Sequence, residues 1–243
     1  MIIKRYFLLA LFLLLANCLS AQSVPTWGGG ADEKDLSFGF SFGYLSNYFK
    51  IDKKPAWQNA YLDNDGTKVT DPLKSISSPD AVGFSVGFLT RYRITEHLEG
   101  RVTPALIFAD RTINYTYTTG QTTAKSVQAT SFDIPLALKI KSDRIGNFRG
   151  YIIGGLKYSQ AIGGNKKTDA DAALIDKQLK NVSHFFSYDT GLGCDIYFEF
   201  FKLSPEIKLS NSFGDVLLHE NHPYASPLNK LTLHSFMFSL YFE

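Results

Sequence analysis

Five histidines and two cysteines are the residues to test first for chemistry. His219-Glu220-Asn221-His222 sets two imidazoles and a carboxylate within four residues, a spacing that could start a metal site. A zinc centre needs three or four converging ligands, and no further ligand stands nearby in sequence, so no metal is expected. His184 and Asp189 could orient a serine nucleophile, but a separation of five puts them on opposite faces of an extended segment. No HExxH, nucleophile elbow or phosphate-cradling loop is expected, so neither a catalytic residue nor a cofactor is assigned. If Cys18 leaves with a leader, Cys194 stands alone and no intramolecular disulfide forms. The residues that remain are charges spaced two apart between apolar neighbours, and their chemistry is ion pairing.

The elements that must position them follow from composition and period. The chain has 243 residues with 25 Lys+Arg against 23 Asp+Glu, a net charge of +2, and 14% aromatic residues. So little net charge supplies no field for collecting phosphates, so no nucleic-acid partner is expected. Lys4 and Arg5 followed by the apolar run Tyr6 to Ala16 and by Leu19-Ser20-Ala21 form a signal peptide over 1–21. Residues 22–34, with Gly28-Gly29-Gly30, are a flexible lead-in, and 35–243 form one domain. Once Lys4 and Arg5 are removed, the charges balance at 23 of each sign.

Beyond the leader no apolar run is long enough for a spanning helix. Eight segments alternate with period two instead. Leu36, Phe38, Phe40, Phe42 and Tyr44 oppose Ser37, Gly39, Ser41 and Gly43; Val82, Phe84, Val86 and Phe88 oppose Gly83, Ser85 and Gly87. Similar segments run over 98–108, 131–140, 148–158, 186–198, 203–210 and 233–242. Their connections alternate between short (Arg93–Glu96, Lys141–Asn147, Glu199–Phe201) and long (Phe49–Pro79, Arg111–Val127, Ala161–Ser183, Ser212–Asn229). The expected fold is all-β: an eight-stranded antiparallel transmembrane β-barrel with short periplasmic turns and long extracellular loops. Both termini are then periplasmic, outer-membrane lipid is the first partner, and Asp169–Lys180 could add a helical turn to one loop. A water-soluble barrel is the competitor, with the aromatic face as its core and the Gly/Ser face in water.

In the membrane barrel the face opposite the aromatics points inward. It carries Glu99, Arg101, Asp133, Lys139, Arg149, Lys157, Asp189, Asp195, Glu206 and Lys208, five acids and five bases. Such balance is expected to form a paired plug, because an unpaired ion there bears a large desolvation cost. The loops hold Trp57, Tyr61, Tyr115, Tyr117 and Tyr224, which could contact partners or fold over the barrel mouth.

The run Phe186-Ser-Tyr-Asp-Thr-Gly-Leu-Gly-Cys-Asp-Ile-Tyr-Phe-Glu-Phe-Phe-Lys-Leu-Ser-Pro-Glu-Ile-Lys-Leu-Ser210 resembles the PorT family of Bacteroidetes barrels. Asn211-Ser-Phe-Gly-Asp-Val-Leu217 and Asn229-Lys-Leu-Thr-Leu-His-Ser235 continue the likeness. Ser235-Phe-Met-Phe-Ser-Leu-Tyr-Phe242 resembles the C-terminal signal read by barrel assembly machinery, with Glu243 added after the aromatic. The resemblance implies a non-enzymatic accessory of type IX protein secretion and gliding motility, with other secretion-system proteins as partners and no catalytic residues. The alternative is a general envelope-stabilising or ligand-binding barrel with no secretion role. Oligomeric state is not set by any of these features.

Overall fold

A computed structural model describes residues 34–63, 65–127, 130–162 and 173–243. The expected signal peptide and nearly all of the lead-in lie outside the described residues. Among the described residues there are twelve strands: β1 (Leu36–Lys53), β2 (Leu73–Ser77), β3 (Ala81–Arg93), β4 (Leu98–Val102), β5 (Ala105–Ala109), β6 (Arg111–Tyr117), β7 (Thr122–Val127), β8 (Thr130–Lys141), β9 (Phe148–Ala161), β10 (His184–Tyr197), β11 (Lys202–Ser212) and β12 (Leu228–Phe242).

Nine of them form one antiparallel sheet in the order β1-β12-β11-β10-β9-β8-β4-β3-β5, and the further pairings β1–β3 and β8–β5 close it on itself. From Tyr48 the register passes through His234, Asn211, Tyr188, Leu156, Leu136, Val102 and Thr90 and returns to β1 at Phe38. The circuit closes ten residues from its start (48 against 38), and a stagger of this kind tilts the strands about the barrel axis. Closure leaves no edge of this sheet unpaired, the condition for a sheet to sit in hydrocarbon.

The alternation sets the faces inside out relative to a soluble protein. Phe38 is 67% and Phe88 73% exposed on the outer wall, while Arg91 and Glu99 are wholly buried inside. An exposed belt of Phe, Leu, Ile and Val on β1, β3, β5 and β8 to β12 is stable in lipid and costly in water, which rules out the soluble alternative. The short turns 94–97, 142–147 and 198–201 share one end with the start of β1 and the end of β12. The protein is an outer-membrane barrel with both termini periplasmic.

Small inward residues allow the walls to approach. A Cβ on Gly155 would stand 2.3 Å from the Leu136 carbonyl oxygen, whereas one on Gly154, facing out, would meet nothing nearer than the Asp189 carbonyl oxygen at 3.8 Å. Gly155→Ala should therefore destabilise by about 1–3 kcal/mol through overpacking. Gly154→Ala should change stability by less than about 0.5 kcal/mol or raise it, since the unfolded chain loses freedom. Urea unfolding in vesicles measures both, and equal effects would contradict this register.

Two expectations change. Over 111–127 and at 73–77, where loops were expected, β2, β6 and β7 form a second antiparallel sheet in the order β2-β6-β7. β6 and β7 prolong the β5–β8 hairpin beyond the outer rim, with Ile113, Tyr115 and Tyr117 on one face and Gly120 turning at φ +86°. The helical turn expected over 169–180 falls partly outside the described residues; from Ala173 on there is one turn, closed by the Asp176 amide on the Ala173 carbonyl at 2.8 Å, and no helix.

Candidate functional site: the barrel interior and its loop cap

Ions fill the lumen in three layers because inward positions recur every second residue on neighbouring tilted strands. At the periplasmic level Lys139 Nζ donates to both oxygens of Asp195 at 2.7 Å and lies 3.6 Å from Glu99 Oε2. Arg91 Nη1 donates to Glu99 Oε1 at 3.0 Å, and Lys141 donates to the same oxygen. Ser204 Oγ adds a 2.6 Å bond to Asp195 Oδ1. Glu243, just past β12, turns its carboxylate inward: Oε1 accepts from Arg91 and from Ser37 Oγ at 2.6 Å, and Oε2 pairs with the Lys202 ammonium at 2.9 Å.

In the middle layer Glu206 accepts from Arg101 Nη1 at 2.7 Å and from the Tyr151 hydroxyl at 2.8 Å, and pairs with Lys208 Nζ at 3.0 Å. Lys208 also donates to the Tyr241 hydroxyl at 2.6 Å, and the Arg101 guanidinium lies 4.7 Å from the Tyr241 ring centre. Nearer the outer rim Lys157 Nζ donates to Ser210 Oγ at 2.8 Å and stands 3.4 Å from Asp133 Oδ2 and 3.8 Å from Asp189 Oδ1.

Nine of the ten inward charges read from the sequence stand in these layers. Arg149 lies at the periplasmic rim, where it donates to the backbone carbonyls of Ser142 (2.5 Å) and Glu96 (3.0 Å) and ties two turns together. Arg91, Lys141, Lys202 and Glu243 were missed. Each falls at a strand end, where the alternating run was cut short, although simply continuing the period from Leu89, Lys139, Ser204 and Tyr241 would have found them. With them the interior is no longer five against five, since three of the four additions are bases.

Among the described residues the lumen holds small cavities, two of them of about 10 and 20 Å³. Arg101, Asp189, Lys208 and Tyr241 line the smaller; Ser41, Ser85, Asp133 and Lys157 are among those lining the larger. Each has room for about one water molecule. Neither is a passage.

Above the ions the mouth is covered. Phe49, Leu73, Ile76, Ile113, Tyr115, Tyr117, Leu179, Val216, Leu217, Tyr224 and Leu228 belong to one buried apolar cluster drawn from all four long connections. The Tyr115 hydroxyl donates to the Tyr224 carbonyl at 2.7 Å, and the Tyr224 hydroxyl to the Ile175 carbonyl at 2.9 Å. Burial holds the Tyr115 and Tyr224 phenols above the usual tyrosine range. These two and Tyr117 therefore do not offer partner-contact surface: their rings supply the apolar area that folds the loops. Trp57 leans on the same cluster with Lys53 Nζ 4.1 Å over its ring, and Tyr61 reaches Asn221 Oδ1 at 3.1 Å.

The catalytic alternatives fail on geometry. His184 is exposed on the outer wall and Asp189 is buried inside, so they form no dyad. His219 is held by Asp215 Oδ2 at 2.7 Å, while His222 is buried and accepts the Tyr224 amide at its Nδ1 (3.3 Å). Among the described residues no three His, Cys, Asp or Glu converge as a metal site. Contrary to the expectation of no elbow sequence, Gly-x-Ser-x-Gly occurs twice, at Gly39–Gly43 and Gly83–Gly87. Both copies lie within straight paired strands, Ser41 opposite Gly87 and Gly43 opposite Ser85, and an elbow needs a strand-to-helix turn.

No curated protein matches the chain. Similar solved structures include the outer membrane protein OprG from Pseudomonas aeruginosa (12% identity, 84% of this chain and 93% of that one, TM-score 0.41). Neisserial surface protein A (10%, 86% and 98%, TM-score 0.44) and Ail, the attachment invasion locus protein of Yersinia pestis (11%, 86% and 98%, TM-score 0.36), are others. The family model described as the outer membrane protein beta-barrel domain matches residues 20–218, and to that family the chain belongs.

Proposed function

We propose that this chain is a closed, non-conducting barrel of eight staves that anchors a folded loop cap at the cell surface. Eight is the count when β4 and β5 are one stave. Their support is a shared register: β3 meets both without a shift (Thr90 with Val102, Gly83 with Ala109), and so does β8 (Leu136 with Val102, Asp133 with Ala105). Pro104 interrupts the ladder without displacing it, its carbonyl still accepting from the Phe88 amide at 2.9 Å.

The observation that carries the reading is the occupied lumen: three ion layers below an apolar cap. Purified protein in planar bilayers should give little or no conductance. Steady nanosiemens steps would mean that the interior opens, and the anchoring role would fall.

A second reading, an accessory role in type IX secretion with secretion-system partners, is supported by the likeness of Phe186–Ser210. Lys202, Ser204, Glu206, Lys208 and Ser210 of that stretch are buried in the lumen, so much of the likeness describes the wall and its plug. Deletion followed by proteomics of the culture supernatant separates the two. Loss of many exported proteins favours secretion; normal export favours the anchor.

A further inference from the structure

The outer wall changes character along β1 and β12 at one depth. Outward positions read Phe38, Phe40, Phe42 and Tyr44 on β1 and Phe242, Leu240, Phe238 and Phe236 on β12, all facing lipid. Ser46 stands opposite Phe236, and beyond that pair come Tyr48 and His234, paired in register and stacked at 5.3 Å with 13° between their planes. Amphipathic rings of this kind sit at the membrane–water interface. One inward-outward repeat further on stand Lys50, paired with Thr232, and then Lys230. A two-residue step along a strand is about 6.6 Å, which carries both ammonium groups into the headgroup layer.

These cations are set up for an external partner. Lys50 and Lys230 are exposed, and neither forms an ion pair with a carboxylate among the described residues. The one acid in register with them, Asp52, accepts from Asn229 Nδ2 at 2.7 Å. Thr232, level with Lys50, holds its Oγ1 3.3 Å from Nε2 of His234, one step toward the membrane, and the charge of Lys50 reaches the His234 ring. The patch thus combines two ammonium groups outside any ion pair among the described residues, a hydroxyl and an imidazole over an aromatic stack, on a wall whose lower part is covered by acyl chains.

We infer that Lys50, Lys230, Thr232 and His234 form a binding site for the phosphate-bearing headgroup of an outer-leaflet lipid, with its chains lying along Phe236, Phe238 and Tyr44. The site rests on the membrane barrel and is independent of whether the lumen conducts or the loops bind a partner.

The test is native mass spectrometry of the full-length protein in neutral detergent. The probes are bis-phosphorylated lipid A, the same lipid dephosphorylated, and inorganic phosphate. Wild type should retain the phosphorylated lipid, lose it as salt rises, and show no displacement by inorganic phosphate at the lipid's own concentration. Lys50→Gln with Lys230→Gln should weaken retention by about 10–30-fold, at roughly tenfold or less per lysine near a charged surface. Lys50→Arg with Lys230→Arg should keep it, as should Lys68→Gln, which removes a loop lysine already paired with Asp71. Equal retention by the Gln pair, equal binding of the dephosphorylated lipid, salt-insensitive binding, or displacement by phosphate alone would each overturn the site. Heat-modifiable gel migration reports folding separately. Should the Gln pair not fold, the wild-type salt and dephosphorylation results still decide.

Discussion

Asp195→Ala is expected to destabilise the barrel by about 3–5 kcal/mol, the range for stranding one member of a buried ion pair. Lys139 has no exposed surface, and both of its hydrogen bonds go to Asp195. Without that carboxylate its ammonium keeps only Glu99 at 3.6 Å and the Tyr151 ring at 3.8 Å, beside two further cations, Arg101 and Lys202. The small cavities of the layers above hold about one molecule each, too little water to replace a carboxylate. Replacing both partners, Lys139→Met with Asp195→Leu, should recover most of the loss, since no ion is then left without its counter-charge. Urea unfolding in vesicles gives all three values. A single substitution costing under about 1 kcal/mol would mean that water reaches this layer and that the lumen is not a plug.

Phe84→Arg is the second large effect, expected at about 2–4 kcal/mol for a cation facing the bilayer near its midplane. A further ~0.5–1.5 kcal/mol follows from losing the stack on Phe108, whose ring centre lies at 4.9 Å. Phe238→Arg should behave alike. The informative control is Leu62→Arg, in a loop beyond the outer rim. Leu62 and Phe84 are equally exposed, at 56% each, so any difference between them measures the medium and not burial. The loop change should stay within about 0.5 kcal/mol. Comparable costs at the two sites would mean that the aromatic belt does not face lipid.

The sequence by itself was enough to assign the two faces of the wall. Period two is a property of each strand alone, so Phe84 against Ser85, or Ile207 against Lys208, declared its side without any neighbour. The alternation of short and long connections likewise set the end at which the termini lie, because each strand crosses to the other end and the first connection is a long one, leaving both termini with the short turns. Local pattern lost its force at strand ends, where Arg91 and Lys202 were left out of the alternating runs, Lys141 was read as turn and Glu243 as tail. It lost force again in the loops, where Ile113, Tyr115 and Tyr117 alternate over too few residues to be separated from an ordinary polar connection.

Which charges meet was decided by tertiary structure. Glu206 and Arg101 are 105 residues apart, and Glu243 and Ser37 are 206 apart. Their contact depends on the ten-residue stagger with which the barrel closes, a quantity carried by the whole ring and by no single strand. The same holds for Tyr115 and Tyr224, whose burial requires four connections to converge over one mouth. An isolated strand specifies a direction for each side chain; distance and partner exist only once the circuit is closed.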